Sequence, residues 1–266
     1  MKWICVSSIV ACAAMAAHGQ TVTVFQSGFE PGEGYTLGTI AGQNGWFLYQ
    51  GEDPNFGRVT SVNPLGGSQS ILLRGQDVEI GSFNNYAGLG RSAPIAPSLN
   101  GNPLRFIEIT GLCAIDDPTP QSSHLSIGGV GLYRGDVDLV TDARATNDDG
   151  QLIFGYDLPH SLPVPAGTPF EFRHVMDYQT GRVTGWMNGQ IAYQNFPAFS
   201  TSVPDSIWLE LSSQLDLLPF DTQVWFDDLH VTATYVPSPG TSLLALAGGL
   251  ACLRRRRAGL SYSDVS

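Results

Sequence analysis

Punctuation is the feature that most constrains this fold. Short runs rich in β-branched and aromatic residues, each bounded by Gly, Pro or Asn, follow one another along the chain: 21–26, 46–50, 58–62, 70–75, 104–110, 124–133, 151–157, 170–178 and 206–212, closing with the longest, 223–236. Runs of this length and composition read as strands. Leu104, Phe106 and Glu108 alternate with Arg105, Ile107 and Ile109, and Phe170, Phe172 and His174 alternate with Glu171, Arg173 and Val175. A period of two sends the two sets to opposite faces of a sheet. No sustained helical period interrupts the series outside the two ends. The spacing predicts an antiparallel β-sandwich.

The segment DYQTGRVTGWMNGQIAYQ (177–194) gives the sharpest local signal. Gln179-Thr180-Gly181 supplies a turn with a glycine free to take positive φ, and Asn188-Gly189 is a two-residue hairpin signature. With strands over 182–187 and 190–194, the segment predicts a three-stranded meander. Composition agrees. Charged residues make up 14% of the chain, well under the usual quarter, while 31 glycines and 17 prolines supply turns. Residues 21–236 carry eight arginines, no lysine and 23 acids, a net charge of −15 within a chain of −11. A body this acidic repels phosphate backbones, which excludes nucleic acid as a partner. Of the four cysteines, Cys5, Cys12 and Cys252 fall in the end segments. Cys113 alone remains in the body, so neither an internal disulfide nor a Cys-x-x-Cys zinc site can form there. Between Leu112 and Ala114 it reads as a small buried hydrophobe.

The ends carry addresses. Lys2, then an apolar stretch from Trp3 to Ala17, then small residues make a secretory signal over 1–20, with cleavage after Gly19 or Gln20. Residues 242–253 form an apolar helix of twelve residues, shorter than the roughly 20 that span a bilayer core. Arg254, Arg255, Arg256 and Arg257 follow as a stop-transfer block. The organisation is thus a signal peptide (1–20), a sandwich domain (21–235) and a tail (236–266).

Three resemblances attach to these segments. Ile9-Val10-Ala11-Cys12 resembles a bacterial lipoprotein box, an alternative that would lipidate Cys12. Val236, Pro237, Pro239, Gly240 and Thr241, followed by the apolar run and the arginines, resemble the PEP-CTERM sorting signal of Gram-negative bacteria that make extracellular polysaccharide. Ser238 stands where that pattern has glutamate, and nine residues follow the arginines. The resemblance implies export, transient retention at the inner membrane, cleavage by an exosortase-type enzyme, and delivery to the cell surface, outer membrane or extracellular matrix. The body resembles concanavalin-A-like, laminin-G-like sandwich domains. The matching residues are Asp177, the Thr180-Gly181 turn, Trp186, Asn188-Gly189, the opening SGFEPGEGYTLGTIAGQNGW (27–46) and the closing WFDDLHV (225–231). That likeness implies one jelly roll over 21–236, a fold that hosts lectins, glycanases and adhesion modules.

Catalytic patterns are sparse. Sandwich glycosidases of this kind carry a Glu-x-Asp-x-Glu strand, which this chain lacks. Glu108 stands alone, Glu171 and Arg173 read as a same-face ion pair, and Asp136 and Asp138 fall in a loop beside Gly135. No Gly-x-Ser-x-Gly elbow occurs in the body. His124, His160, His174 and His230 lack paired spacing and read as surface or core-edge residues rather than metal ligands. Calcium needs only oxygen ligands. Its candidates are Asp116-Asp117, residues 135–138 and 147–150, and Asp227-Asp228, the last two facing opposite sides of one strand; turn chemistry accounts for the same acids. Glycan stacking has candidates in Trp46, Tyr49, Phe56, Tyr86, Trp186, Trp208 and Trp225, which the sequence does not divide into core and platform. The expectation is a non-catalytic protein that binds glycan or builds an extracellular polysaccharide matrix, with no cofactor unless calcium. The alternatives are a polysaccharide hydrolase on the same fold and a purely structural surface protein.

Overall fold

The computed structural model describes residues 19–48, 55–74, 86–116, 125–135, 138–148, 151–155, 161–212 and 222–237. Their strands are β1 (Gln20–Ser27), β2 (Gly38–Thr39), β3 (Trp46–Leu48), β4 (Gly57–Thr60), β5 (Ser70–Arg74), β6 (Tyr86–Ser92), β7 (Ser98–Leu99), β8 (Asn102–Asp116) and β9 (Leu125–Arg134). They continue with β10 (Asp138–Asp148), β11 (Gln151–Phe154), β12 (Leu162–Pro163), β13 (Phe170–Asp177), β14 (Arg182–Met187), β15 (Gln190–Pro197), β16 (Ser206–Ser212) and β17 (Gln223–Tyr235). One ten-stranded sheet runs β15-β14-β13-β8-β17-β5-β4-β2, with β1 on β17 and β7 on β8. A seven-stranded sheet runs β12-β11-β10-β9-β16-β6-β3. Among the described residues there is no α-helix; a 3-10 turn at Pro31–Glu33 is the nearest approach.

The chain divides into two compact units. The larger, residues 22–96 and 106–233, is the sandwich. Ile71, Leu73, Ile107, Ile109, Ile115 and Phe226 from the ten-stranded sheet, with Leu89, Val130, Leu132, Leu209 and Leu211 from the seven-stranded one, are buried. Each such side chain removed from water contributes about 1.5–3 kcal/mol. The period-two reading of β13 is seen directly: Phe170, Phe172, His174 and Met176 are buried while Glu171 and Arg173 are exposed. The meander of β13, β14 and β15 is present at the end of its sheet. Asn188 (φ 48) and Gly189 (φ 76) make its tight turn.

Of the described residues, the smaller unit takes 19–21, 97–105 and 234–237. Within it Asn100 and Gly101, both at positive φ, turn β7 into β8. Thr21 and Thr234 hydroxyls meet at 2.9 Å, and the Val236 amide donates to the Pro103 carbonyl at 3.2 Å. Val236 and Pro237, half-buried beyond β17, are the described part of the expected sorting motif. Pro239, Gly240, Thr241, the apolar run and Arg254–Arg257 lie outside the described residues, as does the expected signal segment up to residue 18. Among the described residues no helix is long and apolar enough to cross a membrane.

One buried group departs from the sequence reading. His174, expected at the surface or the core edge, is fully buried. Its Nε2 lies 2.6 Å from Thr141 Oγ1 on β10 and its Nδ1 lies 2.6 Å from the Tyr193 hydroxyl on β15. The histidine therefore joins the two sheets. Burial, helped by the positive charge of Arg144, pushes its pKa down to about 3, so the imidazole is neutral and uses one nitrogen as donor and the other as acceptor.

Candidate functional site

The solvent face of the ten-stranded sheet carries a row of side chains set by strand register. Ile191 on β15 stands opposite Trp186 on β14, Trp186 opposite Arg173 on β13, and Arg173 opposite Thr110 on β8. The Arg173 guanidinium carbon lies 4.6 Å from the centroid of the Trp186 ring. Its Nη2 donates to Glu108 Oε2 at 2.8 Å, so Arg173 pairs diagonally across strands with Glu108 and not with Glu171, as the sequence spacing had suggested. Beside this row the Glu171 amide donates to Asn188 Oδ1 and the Asn188 amide donates to the Glu171 carbonyl, both at 2.9 Å. These bonds hold the hairpin turn against β13. The result is a groove of about 530 Å³ lined by Thr110, Leu112, Glu171, Arg173, Trp186 and Asp228.

Burial divides the aromatic candidates that the sequence left together. Trp46, Phe56, Trp208 and Trp225 are buried. Trp186 is half-exposed and lines the groove. Tyr49 and the Tyr86 side chain lie outside the described residues. A second hollow, about 680 Å³, follows β15 past Ser161 and Leu162 and includes the exposed amides of Gln194 and Asn195. Of its two aromatic residues, Tyr193 is buried and already committed to His174, and Phe196 is half-buried with its ring edge-on to Tyr193. The first groove is the better platform.

The outer face of the seven-stranded sheet is built differently. Trp208 on β16 pairs with Gly90 on β6 and Gly131 on β9, and Glu210 pairs with Gly88 and Gly129. Asp142 and Arg144 on β10 stand opposite Gly131 and Gly129. Four glycines thus floor a track on which larger side chains lie flat. A Cβ at Gly131 would fall 2.6 Å from Glu210 Oε1, and one at Gly90 would fall 2.5 Å from the Phe47 ring. Glu210 and Asp142 are buried over this floor, Asp142 bonded to Arg144. The sequence reading looked for acids two apart on one strand and missed these, which sit on β16 and β10. The available signal was glycine at alternate positions, 88 and 90, 129 and 131, flanking Trp208-x-Glu210.

A third cluster gathers acids. Asp228 adopts φ 46, a break in β17 that brings its carboxylate beside that of Asp227. Oxygens of both lie within 4 Å of the Cβ positions of Gly28 and Gly66, so they do not face opposite sides as expected. Asp227 accepts from the amides of Gly66 and Asp228, each at 2.8 Å. Glu30 accepts from the Ser68 and Gln69 amides and the Ser68 hydroxyl, which lowers its pKa. Glu33 accepts from the Ser27 hydroxyl and the Gly28 amide. These acids clamp the loop at 66–69 to the turn after β1. Burial raises Asp227 to about 7, with Asp228 and Glu30 adding to the rise against the two amide bonds. Among the described residues no three His, Cys, Asp or Glu side chains converge as metal ligands. A calcium ion here would compete with amide donors already in place. Cys113 is buried and its thiol is pushed up by desolvation, which makes it inert.

No protein-family model matches the chain, and no curated protein matches it in sequence. Among solved structures it is similar to peanut lectin, at 13% identity over 82% of this chain and 100% of that one, with a TM-score of 0.49. It is also similar to the cellulose-induced protein Cip1, at 13% identity over 74% of this chain and 96% of that one, with a TM-score of 0.48. The CBM22-1 xylan-binding domain from Paenibacillus barcinonensis Xyn10C is similar at 14% identity over 84% and 99%, with a TM-score of 0.38. All three are likenesses of fold.

Proposed function

We propose that this chain is an exported, surface-associated, non-catalytic protein that binds glycan along the groove over β8, β13 and β14. Trp186 carries the reading. The sandwich already has its core on the other side of this sheet, so alternation calls for polar residues facing solvent. Instead Trp186, Leu112, Val175 and the exposed Ile191 stand there, beside an ion pair. The half-buried indole, over which the Arg173 guanidinium lies, offers its remaining apolar surface to the C–H face of a sugar ring. Thr110, Glu171, Arg173 and Asp228 around it offer both donors and acceptors to hydroxyls. Export and surface delivery rest on the leader over 1–20 and the sorting tail from Val236.

A glycan array probed with the full-length chain, with and without calcium, tests the reading. Retention of at least one glycan, lost on Trp186→Ala, is the expected result. Absence of retention under both conditions would sink it. The alternative, a polysaccharide hydrolase, draws its support from two buried acids of the other sheet: Glu210, whose Oε1 lies over Gly131, and Asp142, the register partner of that glycine on β10. Release of reducing ends from a retained polysaccharide, abolished by Glu210→Gln and untouched by Trp186→Ala, would replace the non-catalytic reading with that one.

A further inference from the structure

We infer that the groove takes an uncharged, hydroxyl-rich glycan and discriminates against acidic polysaccharides; this rests on the glycan reading above. The argument is one of charge placement. Arg173 is the basic side chain lining the groove, and it is engaged: its Nη2 donates to Glu108 at 2.8 Å and its guanidinium carbon lies 4.6 Å from the centroid of the Trp186 ring. That pair is neutral as a unit. Glu171 and Asp228 line the same groove, and among the described residues neither has an ion-pair partner. The net charge at the lining is therefore negative, inside a body of −15 without a lysine.

Recognition of uronate or sulfate relies on a guanidinium with a free fork or on several ammonium groups. Neither is present here. A carboxylate arriving beside Glu171 or Asp228, both exposed, would meet like charge at short range, a repulsion felt most at low salt. A sugar hydroxyl, in contrast, donates to such a carboxylate. The positions of Glu171 and Asp228 thus act as a filter on ligand charge, while Trp186 supplies the surface on which the ring rests.

Affinity electrophoresis of the full-length chain tests this, in gels holding a neutral polysaccharide (mixed-linkage glucan, xylan or glucomannan) or an acidic one (alginate or polygalacturonate), at 50 mM and 500 mM salt by order of magnitude. The expected result is binding to at least one neutral polymer that changes less than about twofold with salt, and binding to the acidic polymers at least about tenfold weaker at low salt. The double variant Glu171→Gln, Asp228→Asn, which keeps size and suits the positive φ at 228, should narrow that gap to about threefold or less. Acidic polymer bound as tightly as neutral polymer, with Trp186→Ala abolishing both, overturns the charge filter and leaves the glycan reading standing. An unchanged gap in the double variant also overturns it. Failure of every polymer to bind removes the glycan reading itself.

Discussion

The Tyr193 hydroxyl lies 2.6 Å from His174 Nδ1, and the Tyr193 ring lies flat over Gly185, where a Cβ would come within 2.1 Å of it. A glycine on β14, a tyrosine on β15 and a histidine on β13 are thereby locked into one arrangement, whose far end is Thr141 on the opposite sheet. The core is held by more than apolar contact.

Gly185→Ala should therefore destabilise the protein by about 3 kcal/mol, because the new methyl must displace a tyrosine that is itself pinned. Chemical denaturation measures this directly, and a loss under about 0.5 kcal/mol would show that Tyr193 moves freely. The same variant should raise the His174 pKa, readable by NMR of the imidazole, as the tyrosine withdraws and water enters.

Stability against pH should show two opposed titrations. His174 is held near pKa 3 in the folded chain against about 6.5 when unfolded. Between those values the unfolded state binds the extra proton, so this group makes stability rise with pH, by on the order of 4 kcal/mol at full titration. Asp227 is raised from 3.8 to about 7, so the folded state binds the extra proton and stability falls across that window. The Asp227 contribution is the smaller, since solvent screens its neighbours Asp228 and Glu30. Asp227→Asn should steepen the loss of melting temperature from pH 6.5 to 4. His174→Gln should reverse the slope, leaving a protein less stable at pH 7 than at pH 4. Parallel curves for wild type and both variants would refute the assignment.

Two tryptophans should separate binding from folding. Trp208 is buried between Phe47 and Tyr133, at ring-centroid distances of 5.3 and 5.7 Å, and Trp208→Ala should cost about 3–5 kcal/mol. Trp186→Ala, on a half-exposed side chain, should cost about 1 kcal/mol and yet reduce glycan affinity at least tenfold. Equal losses of stability in the two would place Trp186 in the core and take away the platform.

The proposed sorting tail has its own readout. Mass spectrometry of the protein recovered from the cell surface should show a chain ending near Pro239 to Thr241, with residue 21 or 20 at its start. A chain intact to Ser266 would count against processing of the Pro-Ser-Pro form of the motif.

Strands with β-branched and aromatic residues were legible in the sequence, and so was the hairpin at Asn188-Gly189, because each depends on local chemistry. Strands β6 and β10 were not, since YAGLGRS is rich in glycine and DLVTDARATND is mostly polar. Their reason for being strands is tertiary: in β6 Gly90 makes room for Phe47 and Trp208 brought by other strands, and β10 is held by its pairing with β9 and β11. The groove was half legible. Trp186 was among the stacking candidates, but only burial separates it from four other aromatic residues, and burial depends on which side of the sheet each strand turns. The partner of Arg173 was misread because alternation along β13 points to Glu171, while the register with β8 brings Glu108 within reach. His174 was misread for the same reason, its partners lying 33 and 19 residues away.

Strand β15 ends the ten-stranded sheet, and its pairing with β14 shifts register twice before closing at Pro197, with Asn195 at φ 62 between. An edge so broken offers no continuous ladder of amides and carbonyls to a neighbouring chain. Crowded copies can then stay separate molecules, each with its own groove, and do not knit into a shared fibre.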